Sequence, residues 1–219
     1  TSTANVAPVE IPRLFVKPGS PNHNSLSSYL EYAKRTKLRS DRSVYIGTHY
    51  EYTAAEALLR LGFSLIRTGQ KNDAGIDLIG HWILSFLREP MPVIVQCKSR
   101  IKTCSPDAIR ELEGAFHSVP YEWRNKDVLG LLISNLKATE GLRRQMYLSP
   151  RPIAFLQIGK SGTITQFVWN RAATDRGLEG VGGASRTVVA DIQLTWMGTP
   201  IFADKAEVAR ETARRLADI

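Results

Sequence analysis

Three polar residues stand in two otherwise apolar segments of this 219-residue sequence. Asp77 lies within residues 76–79, and Gln96 and Lys98 end a segment that begins at Val93. A carboxylate among apolar residues is costly to bury unless a cation or hydrogen-bond donors compensate it. A carboxylate and an amide oxygen are hard ligands that suit Mg²⁺, and a neighbouring lysine can orient or deprotonate a metal-bound water and stabilise a phosphorane-like charge. The three residue types are therefore suited to phosphodiester hydrolysis.

The strands that carry these residues must pair if the three side chains are to meet. We predict strands over residues 76–82 and 93–98, joined by a loop that contains two prolines. Alternate side chains of a strand share a face, so Gln96 and Lys98 project together. Pairing of the two strands brings Asp77 beside them.

The remaining patterns predict one mixed α/β domain with additional segments at both ends. We expect an arm and a short helix in residues 1–44, a core in 45–170, and a Gly-rich loop, a strand and a basic helix in 171–219. Residues 177–185 are predicted to be a mobile Gly-rich loop, and Thr48 is predicted to cap the first helix of the core. The predicted helices are residues 25–37, 48–61, 106–117, 139–148 and 203–216, and the further strands are 63–67, 128–134, 153–158 and 163–169.

Composition and charge narrow the class of protein. The apolar fraction of 43% and the charged fraction of 23% are ordinary for a soluble globular protein, and no apolar run approaches the ~18–20 residues that span a bilayer. The excess of 29 basic over 21 acidic residues, +8 in all, favours a polyanionic partner, with nucleic acid first. Cys97 and Cys104 are too few for a disulfide framework and show no zinc-binding spacing, so we expect free thiols.

Several short motifs occur together in an order that resembles a known family. They are Tyr50-Glu51, Leu61-Gly62-Phe63, Arg67-Thr68-Gly69, Asp73-Ala74-Gly75-Ile76-Asp77, Gln96-Cys97-Lys98 and residues 110–115. In type, order and spacing they resemble the Mrr-like restriction endonucleases of the PD-(D/E)XK nuclease superfamily. The resemblance covers residues 47–158. Residues 136–158 and the flanks look like a fungal branch of that family, the mitochondrial proteins required for respiratory growth.

The resemblance implies a restriction-endonuclease-like fold, a mixed central sheet flanked by helices, and a role for each matching residue. Asp77 corresponds to the metal-binding aspartate, and Gln96 stands where the superfamily usually has a carboxylate, as it does in Mrr-like members. Lys98 corresponds to the catalytic lysine. Glu51 corresponds to a helical glutamate that assists metal binding, and the backbone carbonyl of Cys97 is the expected further ligand. The implied cofactor is Mg²⁺, for which Mn²⁺ can substitute.

Some positions keep a second interpretation. Thr48 and Glu51 match a capping box, in which Glu51 would bond the N-cap amide instead of, or as well as, a metal. Ala74 replaces the first glycine of the common family motif, which affects the geometry of the turn. Residues predicted to contact a phosphate backbone, or else to lie in solvated turns and helix ends, are Gln70, Lys71, Arg100, Arg143 and Arg144.

Three functional hypotheses follow. The first is a Mg²⁺-dependent DNA nuclease, which the resemblance places in mitochondrial DNA maintenance or repair. The second is a catalytically weak or inactive DNA-binding module with the same fold, since Gln96 leaves the site one negative charge short. The third is a structural subunit of a mitochondrial complex. Restriction-type enzymes often dimerise, so a homodimer is one expectation, while membrane insertion is not expected. The chain begins at Thr1, and we expect any targeting segment to lie outside it.

Overall fold

A six-stranded mixed sheet forms the centre of the molecule. The structure, a computed structural model, describes residues 12–14, 17–68, 75–99, 101, 103–185, 192–202 and 204–217. The strands follow one another across the sheet in the order of the sequence. They are β1 (Phe63–Arg67), β2 (Leu78–Trp82), β3 (Met91–Lys98), β4 (Leu129–Ser134), β5 (Ile153–Ile158) and β6 (Ile164–Trp169).

The pairing changes direction at β3. The pairs β1–β2 and β2–β3 are antiparallel, β3–β4 and β4–β5 are parallel, and β5–β6 is antiparallel. Helices α3 (Asp107–Ala115) and α4 (Glu140–Leu148) provide the crossovers that the two parallel connections require. The carboxyl ends of β3, β4 and β5 consequently lie at one edge of the sheet.

Each face of the sheet carries its own apolar layer. Val93 and Val95 point to the face covered by α2 (Ser43–Leu59). Ile94, between them, points to the face covered by α3 and α4. Because both faces are covered, the central strands are continuously apolar rather than alternating. This arrangement confirms the predicted fold class, a mixed α/β sheet flanked by helices.

Helix α2 begins earlier than predicted. It starts at Ser43 after α1 (Leu26–Arg35), so Thr48 lies inside the helix and is buried, and its predicted capping role is wrong. The additional turn packs on α1, where the rings of Tyr29 and Tyr45 lie 5.7 Å apart. This tertiary contact extends the helix beyond the local signal at Thr48.

A second, three-stranded sheet follows a short helix, α5 (Arg171–Ala173), and a turn that is kinked at Arg176 and Gly177. The prediction of a Gly-rich loop is wrong for its last five residues, because they form a strand that pairs antiparallel with the next one. Pairing with a neighbour supplies the hydrogen bonds that a lone glycine-rich strand lacks. The elements of this region are β7 (Val181–Ser185), β8 (Ile192–Trp196), β9 (Thr199–Pro200) and the final helix α6 (Lys205–Ala217).

The second sheet shares the core of the first, because Ile192 and Leu194 of β8 belong to the apolar layer on the α2 face. Helix α6 packs on α2 and β1. In the part of the chain that the structure describes, no helix has the length and apolar character needed to cross a bilayer.

Candidate active site

Asp77 and Gln96 meet where β2 begins and β3 nears its end. The antiparallel register ends with Leu78 opposite Val95, so Asp77, the residue before Leu78, lies beside the segment that contains Gln96. The Asp77 amide donates to the Val95 carbonyl at 2.8 Å, and the Asp77 carboxylate accepts from the Cys97 amide at 2.6 Å. Asp77 is thus fixed through both backbone and side chain at the edge where the parallel strands end.

Gln96 is nearly inaccessible, with 5% of its surface exposed. Its Oε1 is buried and, among the described residues, has no hydrogen-bond partner. Leaving a buried acceptor unsatisfied costs about 1–3 kcal/mol, so the position favours a ligand that this oxygen can bind. Gly75 provides the space for the amide, because a Cβ at this residue would lie 3.1 Å from Gln96 Nε2.

Lys98 is held by Glu111, which belongs to the motif at residues 110–115 and has no role assigned from the sequence. Its Nζ lies 2.5 Å from Oε2 of Glu111 on α3, and 16% of the Lys98 side chain is exposed. Lys98 and Gln96 therefore project to the α3 face together, as the alternation of the strand predicts. The ion pair fixes the Lys98 side chain against helix α3.

Glu51 lies on the other face and is also paired. Its Oε2 accepts from Arg67 Nε at 2.5 Å, and the two side chains are only 13% and 11% exposed. Arg67 also donates to the Thr48 hydroxyl at 3.3 Å and lies over the Tyr52 ring. Since Glu51 sits in the third turn of α2, the capping-box interpretation is wrong. Its predicted part in metal binding stays a prediction.

Cys97, the residue between Gln96 and Lys98, has a thiol whose pKa is raised. Burial, together with the charges of Asp77 and Glu51, raises the pKa of its thiol well above the usual value. The thiol is therefore neutral at physiological pH and is not a nucleophile.

The donors at this edge match the preference of one type of metal ion. The described residues contain no group of three or more His, Cys, Asp and Glu side chains that could hold a metal. Asp77 and Gln96 instead offer one carboxylate and one unsatisfied amide oxygen. Mg²⁺ binds through one or two carboxylates while keeping several waters, so this donor set fits it and does not fit zinc.

Of the five residues predicted to contact phosphate, two lie in the part of the chain that the structure describes. Gln70, Lys71 and Arg100 lie outside the described residues, as does Ala74 of the preceding turn. Arg143 and Arg144 are exposed on α4, the crossover helix that starts at the same edge of the sheet as the site. The structure leaves both side chains accessible to a ligand and does not bring them into contact with Asp77.

Arg67 and Glu111 are the residues that the sequence alone failed to assign. Both belong to family-like motifs, Arg67-Thr68-Gly69 and residues 110–115, and this is the signal that could have found them. The pairs Glu51–Arg67 and Lys98–Glu111 join residues 16 and 13 positions apart on different elements. Such pairs follow from how helices pack on the sheet rather than from any local pattern.

Together these features define a mixed α/β domain with a carboxylate, an amide and a lysine gathered at one edge of its sheet. The chain matches the family described as Required for respiratory growth protein 7 in two overlapping segments, residues 42–89 and 84–184. These segments span well over half of the sequence, and the chain belongs to this family.

The chain is similar to several fungal proteins. An uncharacterized mitochondrial protein of Schizosaccharomyces pombe is 37% identical over 158 residues, which cover 70% of this chain and 62% of the relative. The mitochondrial protein Required for respiratory growth protein 7 of Zygosaccharomyces rouxii is 28% identical, covering 54% of this chain and 66% of the relative. The Saccharomyces cerevisiae protein of that name is 29% identical, covering 44% and 58%. In each comparison the chain spans less than two thirds of the relative. The names agree with the predicted mitochondrial location.

Among solved structures, the chain is similar to the MspJI restriction endonuclease in complex with a 27-mer oligonucleotide. The sequences are 15% identical, the match covers 93% of this chain and 39% of the other, and the TM-score is 0.36. A TM-score of this size is too low to transfer a fold or an activity.

Proposed function

We propose that this chain is a metal-dependent deoxyribonuclease that acts on mitochondrial DNA in its maintenance or repair. The observation that carries the proposal is the buried, unsatisfied amide oxygen of Gln96 in a segment where the Asp77 carboxylate binds the next amide, that of Cys97, and Lys98 follows. The resemblance of the surrounding motifs to Mrr-like nucleases supports the reaction type. The fungal relatives, named as mitochondrial, support the location.

In this proposal Asp77 and Gln96 would hold Mg²⁺, and Glu51, which lies on the other face and pairs with Arg67, would be the further acidic residue. The metal, when bound, lowers the pKa of a coordinated water and neutralises charge on the phosphate. Lys98 orients the attacking water and stabilises the negative charge that develops on the phosphate oxygens. Glu111 is a positioning residue that fixes the Lys98 side chain. The Cys97 amide fixes the orientation of the Asp77 carboxylate through a hydrogen bond.

A second candidate function is DNA binding without turnover. Gln96 contributes no charge where the superfamily usually has a carboxylate, which weakens the attraction for a divalent cation. Lys98 and Glu51 are each engaged in a short ion pair, with Glu111 and with Arg67. A module of this kind would bind DNA without needing a metal.

One assay separates these candidates. The wild type and Asp77→Asn would be incubated with Mg²⁺ or Mn²⁺ and with single-stranded, duplex, flap and four-way-junction DNA. Asparagine keeps an acceptor for the Cys97 amide while removing the charge, so the fold should persist, which circular dichroism checks. Asp107→Asn, on the exposed start of α3, is the control that removes the same charge elsewhere.

Cleavage by the wild type and by Asp107→Asn that is lost in Asp77→Asn would support the nuclease. Metal-independent binding by all three proteins, with no cleavage of any substrate, would favour the binding module. Equal cleavage by Asp77→Asn and the wild type would overturn the assignment of this site.

A further inference from the structure

A second polar pocket lies at the opposite edge of the sheet from Asp77. It has a volume of about 300 Å³ and is bounded by Phe116 after α3 and by Val128 and Pro152, the residues next to the starts of β4 and β5. A six-residue strand such as β4 is about 20 Å long, so this pocket is separate from the candidate active site. Its basic lining residues are His117, Arg124, Lys126, Arg151 and Arg176.

The positive charge of this pocket is poorly neutralised. Its described lining includes four Lys and Arg residues and no Asp or Glu. Lys126 pairs with Glu89 at 3.5 Å and Arg176 pairs with Asp127 at 3.4 Å, and all four side chains are more than 40% exposed. Exposed pairs of this kind contribute about 0–1 kcal/mol, so they leave the two cations largely available.

The other two cations are held by aromatic rings. The guanidinium of Arg124 lies over Tyr121 at 5.2 Å, and that of Arg151 lies over Phe116 at 5.5 Å. Within the described part of the chain, neither forms an ion pair with a carboxylate. A ring beneath a guanidinium restricts its position but leaves its N–H groups free to bind an oxyanion.

Four cations around one small cavity favour a ligand with concentrated negative charge. Arginine binds phosphate through two parallel hydrogen bonds, and lysine adds a point charge. A phosphomonoester carries close to two charges on three oxygens at neutral pH, whereas each backbone phosphodiester carries one. The volume is at the small end of ligand pockets, which suits a phosphate with part of a nucleoside.

We propose that this pocket binds a phosphomonoester dianion, carried by a phosphorylated DNA end or by a free nucleotide. The DNA source rests on the proposed function, whereas recognition of the phosphate does not. The rings of Phe116 and Tyr121 hold Arg151 and Arg124 in place. Lys126 and Arg176 supply the other two positive charges.

The test compares ligands that differ only in the phosphate, in buffer without divalent metal. Fluorescence anisotropy would measure the affinity for a short duplex with 5′-phosphate or 5′-hydroxyl ends, and calorimetry would compare adenosine monophosphate with adenosine. The variant is Arg124→Gln/Arg151→Gln. The control is Arg110→Gln/Arg214→Gln, which removes the same charge from two exposed arginines on α3 and α6. Thermal unfolding checks that both double variants fold.

We expect the wild type and the control to prefer a phosphorylated ligand by about tenfold or more, and the pocket variant to lose that preference. A preference seen with the duplex alone identifies a DNA end as the source, and one seen with the mononucleotide identifies a free nucleotide. Equal affinity for phosphorylated and unphosphorylated ligands, or an equal loss in the control, would overturn the proposal. Because no metal or cleavage is involved, a failed nuclease assay leaves this result interpretable.

Discussion

At the scale of single residues, Gln96 is the buried polar side chain of the candidate site whose oxygen has no partner among the described residues. The side chain is buried, and its amide packs closely against Gly75. Gly75 has a φ of +83°, a conformation that L-residues rarely adopt, and a Cβ there would press on the amide. The glycine of the family-like motif thus suits the backbone conformation and gives the Gln96 amide room.

Replacing Gln96 by glutamate tests whether this edge binds a divalent metal. Gln96→Glu places a second carboxylate next to Asp77, and like charges in a buried position repel. Without metal we expect the melting temperature to fall by about 4–8 °C, which corresponds to about 2 kcal/mol. Mg²⁺ should recover most of this loss, because it compensates the added charge. Differential scanning calorimetry over a Mg²⁺ series measures both effects.

The control for this experiment is Gln193→Glu, in the second sheet, where the side-chain amide donates to the Phe202 carbonyl at 3.0 Å. It adds the same charge away from the candidate site, so Mg²⁺ should not restore its stability. If Gln96→Glu and the control respond equally to Mg²⁺, the metal is not bound at Gln96.

At the scale of elements, the Glu51–Arg67 pair connects α2 to the edge strand β1. Both side chains are close to nine-tenths buried, and Arg67 also reaches Thr48 and Tyr52 of the same helix. Truncating one partner of a buried pair leaves the other charge uncompensated, which costs more than losing the pair itself. The interaction therefore fixes where the helix meets the sheet.

A double-mutant cycle measures this connection. We expect Arg67→Met and Glu51→Gln each to lower the free energy of unfolding by about 2–4 kcal/mol, with Arg67→Met the more damaging because it leaves a buried carboxylate. The double variant should lose clearly less than the sum, since neither charge is then stranded. Urea unfolding of the four proteins gives the coupling energy. Strict additivity would show that the two residues do not stabilise each other.

The element scale also shows what the sequence could predict. The approach of Asp77 to the segment of Gln96 follows from strand alternation and from the pairing of two strands that are consecutive in the sequence. The start of α2 does not follow from the local sequence, because its first turn contacts α1 through Tyr45. Strand β7 was missed because glycines have low strand propensity, and only pairing with β8 makes Val181–Ser185 extended. The partners of Lys98 and Glu51 were missed because the packing of helices on the sheet, not a local sequence pattern, brings each pair together.

At the scale of the whole molecule, His81 connects the sheet to the segment that follows α3. It lies in β2 with 2% of its surface exposed, and its ring meets that of Trp123 at 5.2 Å in an edge-to-face contact. Among the described residues, its Nδ1 has no hydrogen-bond partner. Burial, assisted by the charge of Lys126, lowers the pKa of His81 to about 4.

This histidine should make global stability depend on pH. Its pKa is 6.5 when unperturbed and lower in the folded state, so between these values the unfolded chain binds more protons. The stabilisation is complete above pH 6.5 and is lost as the pH falls toward 4, by about 2 kcal/mol between pH 7.5 and pH 5.

His81→Phe, which keeps an aromatic ring against Trp123, should lose about 2 kcal/mol less than the wild type over this interval. The exposed His117→Gln should behave as the wild type does. Urea unfolding at several pH values tests this, and an equal pH dependence in all three proteins would show that His81 is not the group responsible.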